Sequence, residues 1–153
     1  MTLPSTLDPI YDAGTFQPKV GLSRLLGQVK LELLDALDRE LAPLDITAAQ
    51  YVVLVTLAEG PVDSASGLCK GVSYDPGAMT RMIDRLERKE LVRRVRSPDD
   101  RRKINLELTA EGHAVYPRLI ESAVNVMNRY LRGFRRHEVE QLEAYLQRIL
   151  DNA

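Results

Sequence analysis

The chain has 153 residues, 44% hydrophobic and 28% charged, with a net charge of −1, which fits one globular domain with or without an oligomerisation appendage. No apolar run approaches the roughly 18 residues of a membrane span, and the opening MTLPSTLDPIYD lacks the basic and apolar regions of a secretory signal. The single cysteine, Cys69, excludes an internal disulfide framework; the expected compartment is the cytoplasm, and no membrane partner is expected.

Residues 1 to 15, with Pro4, Pro9 and Gly14, show no period and read as an arm. From about Gln17 to Leu41 the apolar residues Leu22, Leu26, Val29, Leu33, Leu37 and Leu41 recur every three or four positions. That is the spacing of one long amphipathic helix. Leu25, Leu31 and Leu34 widen the stripe beyond one face, and Pro43 closes the helix. Thr47 to Gln50 fits a capping box, with the hydroxyl accepting from the third helical N–H and the amide reaching back. A second helix follows to about Ala58, stopped by Gly60-Pro61. Asp63 or Ser64 caps a short third helix, Ser66 to Lys70, which Gly71 ends. Asp75 caps a fourth, with Pro76 at the first helical position, where no N–H is needed. This helix buries Met79, Ile83 and Leu86 and exposes Ala78, Arg81, Arg85 and Arg88.

Val92 to Arg96 and Lys103 to Leu108 read as a β-hairpin. Ile104, Leu106 and Leu108 alternate with Lys103, Asn105 and Glu107, the period of a half-buried strand. Ser97-Pro98-Asp99-Asp100 supplies the turn. Thr109 caps a long fifth helix carrying Val115, Leu119, Val126, Tyr130 and Phe134, with Gly133 near its end. A last helix, about His137 to Leu150, puts Val139, Leu142, Leu146 and Ile149 on one face.

The order is α-α-α-α-β-β-α-α, a mainly α chain with a small hairpin. It divides into an arm and long helix at 1–44, a helix-turn-helix with a hairpin wing at 45–110, and two closing helices at 111–153. The middle is too small to cover the apolar faces of the end helices. They are expected to serve as dimerisation helices, packing together and against a second copy in a homodimer.

The near-neutral total hides an asymmetry. From Arg81 to Lys103 ten cations face five acids, a net +5, which leaves −6 for the rest. A basic segment on an acidic body confines contact with a polyanion to one face. A rigid helix beside a charged finger suits two adjacent grooves of duplex DNA. The plainer reading of the same charges is a solvated surface.

The run MTRMIDRLERKELVRRVRSPDDRRKINLELTAEG, residues 79 to 112, resembles the MarR family of bacterial winged-helix transcription regulators. The combination of Asp100-x-Arg102 with Leu-x-Leu-Thr-x-x-Gly, Leu106 to Gly112, carries the specificity, and a weaker likeness extends over about 20 to 150. The resemblance implies a homodimer with two winged helix-turn-helix lobes on a pseudo-palindromic operator. It also implies repression relieved by a small phenolic or aromatic acid. One position departs: the family usually has glycine where Glu90 stands. That implies either another helix ending or a strain cost.

In this reading the start of the recognition helix (Ser73, Tyr74, Pro76, Gly77, Ala78) comes nearest the major groove, where small residues let the backbone approach. Thr80 meets a thymine methyl or a phosphate. Arg81 and Arg85 either grip a guanine edge, worth roughly 1–3 kcal/mol of discrimination, or pair along the helix with Asp84 or Glu87, worth roughly a few tenths. At the wing tip Arg102 enters the minor groove, Asp100 holds that arginine through a charge-assisted bond, and Arg101 and Lys103 take the backbone.

The effector pocket implied by the resemblance lies between the first, second and fifth helices. Its candidates are Arg24, Gln28, Tyr51, His113 and Tyr116, and a small aromatic carboxylate is the implied ligand. Each also has a plain structural reading: Tyr51 as core, Arg24 as a dimer ion pair, His113 as a surface residue. No cofactor is expected. His113, His137 and Cys69 lack metal-ligand spacing, and Cys69 reads as a packed thiol. No glycine-rich phosphate loop, nucleophile motif or paired histidines suggest an enzyme. The rival readings are a ligand-independent or architectural DNA-binding protein and a protein-interaction module.

Overall fold

The first helix, α1 (Leu22–Leu41), begins at Leu22 and not at Gln17. Pro18 disfavours helical geometry at the residue before it, and Gly21 precedes the helix with φ 97°, outside the right-handed helical region. The computed structural model describes residues 9–62, 68 and 75–153. Pro43 sits inside a 3-10 turn (Ala42–Leu44), and the chain then reverses at Asp45, which is left-handed with φ 55°. Helix α2 (Ala48–Ala58) opens with the expected capping box of Thr47 and Gln50. The expected third helix, Ser66 to Lys70, with its caps at Asp63 or Ser64 and Gly71, lies outside the described residues except for Leu68, which is helical and buried.

Helix α3 (Pro76–Arg88) starts as the sequence predicts: the Asp75 carboxylate accepts from the Gly77 and Ala78 N–H groups at 2.9 and 3.0 Å. Its buried stripe is Met79, Met82, Ile83 and Leu86; Ala78, expected on an exposed face, is half-buried. Strands β1 (Val92–Arg96) and β2 (Ile104–Leu108) pair antiparallel, from Val92 opposite Leu108 to Arg96 opposite Ile104. Leu106 and Leu108 are buried, but Ile104 is 51% exposed. It stands at the tip end of the strand, so the alternation holds while the core has run out. On the far side of β2, Val62 and Leu106 exchange both backbone hydrogen bonds (3.0 and 2.8 Å), which satisfies part of that edge.

Helix α4 (Ala110–Tyr130) is capped by Thr109, whose hydroxyl accepts from the Gly112 N–H at 3.0 Å. It ends at Tyr130, and Gly133 turns the chain with φ 89°. Phe134, expected on this helix, therefore lies in the link to α5 (Arg136–Asp151). The core joins Leu41, Val53, Leu54 and Leu57 to Met79, Ile83, Leu86, Leu106, Leu108 and Leu119. Helix α1 packs along α4, where Glu40 accepts from Arg129 at 2.7 Å and Asn125 at 3.3 Å. Those two bonds, Arg129's first, lower the Glu40 pKa from its ordinary value.

The terminal helices leave much apolar surface bare. Leu22, Leu25, Val29 and Leu31 of α1 are exposed, as are Leu142, Tyr145, Ile149 and Leu150 of α5. Helix α5 contributes no buried residue. No single helix among the described residues is long and apolar enough to cross a membrane.

Candidate nucleic-acid interface

Three attachments fix the orientation of α3. The first is its own ending. Glu90 adopts φ 59°, its N–H donates to the Glu87 carbonyl at 2.8 Å, and the Leu91 N–H donates to the Leu86 carbonyl at 3.1 Å. These are the two bonds of a Schellman ending, the motif a glycine normally completes. The glycine-type geometry is therefore kept, and Glu90 bears the strain, roughly 1–2 kcal/mol for a side chain in the left-handed region. The Glu90 carbonyl accepts from the Thr109 hydroxyl at 2.5 Å, and the Leu91 carbonyl accepts from the Thr109 N–H at 3.1 Å. The end of α3 is thereby tied to the start of α4.

The second attachment is Lys89. Its ammonium donates to the Asp45 carbonyl, lies 3.2 Å from the Asp45 carboxylate and 3.3 Å from the buried Gln50 amide oxygen. That same oxygen accepts from the Thr47 N–H, so the capping box of α2 doubles as an anchor for α3. The third is Arg94. Its guanidinium donates to Asp84 at 2.8 Å and to Glu87, and its backbone N–H donates to Glu87 at 3.3 Å. Asp84 and Glu87 were the alternative partners for Arg81 and Arg85; the strand arginine takes both. Sequence reasoning passed over Lys89 and Arg94, because both partnerships cross between elements and leave no local spacing.

With those carboxylates occupied, Arg81 and Arg85 project from the exposed side of α3 with no ion pair among the described residues. The Thr80 hydroxyl donates to the Pro76 carbonyl at 2.9 Å, so its hydrogen is used within the helix and its methyl remains for an outside contact. Pro76 and Gly77 are exposed beside it. Ser73 and Tyr74, assigned to the same end, lie outside the described residues, as does Cys69.

The wing tip is built by short-range bonds. The Ser97 N–H donates to the Lys103 carbonyl and the Lys103 N–H to the Asp100 carbonyl, both at 2.9 Å. The buried Ser97 hydroxyl accepts from the Asp99 and Asp100 N–H groups at 3.3 and 3.4 Å. Asp100 accepts from the backbone N–H of Arg102 at 2.9 Å. The sequence reading has Asp100 hold the arginine; the bond goes to its main chain and leaves the guanidinium free. Arg101, Arg102 and Lys103 are exposed, with no ion pair among the described residues.

The effector candidates stand in different settings. Tyr51 and Tyr116 are half-buried. Burial, and then the influence of Tyr116, push the Tyr51 hydroxyl above its ordinary pKa. Arg24 and Gln28 instead bond each other at 2.7 Å on the exposed face of α1, and His113 is exposed in the first turn of α4. Two concavities lined by described residues, about 380 Å³ around Tyr11, Phe16 and Val20 and about 400 Å³ around Glu40, Asn125 and Arg129, include none of the five. Among the described residues no cluster of three His, Cys, Asp or Glu side chains could hold a metal ion.

A family model described as the MarR family matches residues 46–104. The multiple antibiotic resistance protein MarR of Escherichia coli (strain K12) is 34% identical over 136 residues, covering 88% of this chain and 94% of the relative. The transcriptional repressor MdtR of Bacillus subtilis (strain 168) is 30% identical over 123 residues, covering 80% and 77%. Among solved structures, a mutant of the E. coli MarR complexed with operator DNA superimposes with a TM-score of 0.75 at 34% identity, covering 84% of this chain and 93% of that one.

Proposed function

The chain belongs to the MarR family of DNA-binding transcription regulators, and on that premise we propose that it works in the cytoplasm as a homodimeric repressor. Its relatives are transcription regulators and not enzymes. The proposed mode is that α3 enters the major groove of a pseudo-palindromic operator while the wing tip enters the adjacent minor groove. One observation carries this reading: internal carboxylates pin α3 and the hairpin together, yet among the described residues they leave Arg81 and Arg85 of the helix face and the cations of the tip without an ion pair. Arg81 and Arg85 then read base edges, with Pro76, Gly77, Ala78 and Thr80 at close approach. Arg102 reads the minor groove, and Arg101 and Lys103 hold phosphates. That a mutant of the E. coli relative has been solved in complex with operator DNA supports a DNA-binding role.

The bare apolar faces of α1 and α5 support a dimer, since large exposed apolar patches mark interaction surfaces. The proposed signal is a small aromatic carboxylate that binds one spacing of the two lobes better than the other, the condition for any ligand to shift a population. Tyr51 with Tyr116, and Arg24 with Gln28, are the residues to test first, and His113 is the next. Selection from a random duplex library tests the DNA reading. An inverted repeat with half-sites about 10 base pairs apart is expected for a two-fold reader; failure to enrich any sequence refutes it. Release of the selected duplex by one of a panel of aromatic acids supports repression by induction. Unchanged affinity across the panel favours a ligand-independent DNA-binding protein.

A further inference from the structure

Strand β1 carries three arginines, and the fold treats them differently. Arg93 faces Glu107 across the hairpin and binds it at 2.6 Å. Arg94 is held by Asp84 and Glu87 of α3. Arg96 is exposed and has no ion pair among the described residues. Side chains two apart in a strand share a face, about 7 Å apart along it. Arg96 therefore lies on the side where Arg94 reaches α3, one step further toward the tip. Its cross-strand neighbour on that face is Ile104, which offers apolar cover and no counter-charge.

We propose that Arg96 is a phosphate-binding residue of the wing, gripping the backbone ridge between the groove that holds α3 and the groove that holds the tip. The assignment rests on the DNA-binding reading above and adds a contact to it. A duplex entered by α3 in one groove and by Arg102 in the next must pass its phosphates between them. The strand face joining the two is where a cation meets that ridge. Arg94, on that face, is already neutralised by α3, and Arg93, on the opposite face, by Glu107, so Arg96 is the strand cation left to exchange with counterions. A phosphate contact carries no sequence information, so Arg96 adds affinity equally for operator and unrelated duplex.

The test is fluorescence anisotropy with the selected operator and an unrelated duplex, over a salt series, for the full-length protein. In Arg96→Gln the slope of log affinity against log salt falls by about 0.9 for each lobe engaged, and affinity drops by the same factor for both duplexes. Arg96→Lys keeps the wild-type slope, because a phosphate needs a cation and not a fork. Arg93→Gln also keeps it, because its charge is already matched by Glu107. The assignment is overturned if Arg96→Gln retains the wild-type slope, or if Arg93→Gln loses as much. Should wild-type protein itself show no salt-dependent binding to either duplex, the DNA-binding reading fails and this assignment falls with it. Circular dichroism of each variant shows that the fold is intact, as expected for exposed positions.

Discussion

Replacing Gly112 by alanine sets two effects of opposite sign against each other. In a helix alanine is favoured over glycine by about 1 kcal/mol, so propensity alone predicts a more stable protein. The surroundings predict the reverse. A Cβ at Gly112 would stand 2.2 Å from the Leu91 carbonyl oxygen and 3.2 Å from Leu108 Cβ and Cδ2. Carbon and oxygen in ordinary contact lie about 3.3–3.6 Å apart, so α4 and the start of β1 must separate by roughly 1 Å. That oxygen is the acceptor for the Thr109 N–H at 3.1 Å, and such a shift ends a hydrogen bond worth about 1 kcal/mol. Overpacking adds about 1–3 kcal/mol. Net of propensity, Gly112→Ala should destabilise by about 1–3 kcal/mol, a fall in Tm of about 2–12 °C for a chain of this size. The assay is urea and thermal unfolding at one fixed protomer concentration, because association alters the apparent stability. A variant as stable as wild type, or more so, would show that the helix does not approach Leu91 this closely and would refute the reasoning.

Glu90→Gly relieves the left-handed strain while loosening the unfolded chain, for a net gain of about 0.5–1 kcal/mol; a denaturant midpoint that rises at constant slope is the expected result. Asp100→Ala removes the bond to the Arg102 N–H on an exposed turn, so stability should change by no more than about 0.5 kcal/mol while operator affinity falls; equal affinity in an anisotropy titration would deny the tip its ordering role. Glu40 gives a pH signature. Its folded pKa is depressed by Arg129 and Asn125, so its stabilising contribution is present above the ordinary glutamate range and is lost as pH falls through the folded value. The stability difference between wild type and Glu40→Gln should therefore shrink on acidification, as followed by thermal melts from neutral pH downward; a constant difference would contradict the pairing.

The caps and turns were legible because each is complete within a few residues. Thr47 with Gln50, Asp75 with Pro76, and Thr109 with Gly112 need no distant partner. The two hairpin strands followed from alternation, though β2 begins at Ile104 rather than Lys103 and Ile104 is exposed where the core runs out. The partner of Arg94 was hidden by its distance in the chain. Asp84 and Glu87 have arginines nearer in sequence, and only the folded hairpin brings Arg94 to both. Glu90 was readable as a departure but not as an outcome. Which of two endings it takes is decided by the bonds from Thr109 that close over it. The effector candidates gave the weakest signal, since tyrosine and arginine on amphipathic helices serve packing as readily as binding.

The three attachments of α3 have a mechanical consequence. Held by Lys89 at one end, by Arg94 along its flank and by Thr109 through Glu90, the helix tilts only together with the wing and the first turn of α4. Helix, hairpin and corner make one blade, and α4 is its shaft. The shaft has 21 residues, roughly 30 Å at the usual rise. Swinging it by about 5° at its far end displaces the blade by about 2.5 Å over that length, more than the tolerance of a hydrogen bond to a base edge. In the proposed dimer, a small adjustment where the terminal helices pack would thus be levered into the loss of a whole set of DNA contacts at once.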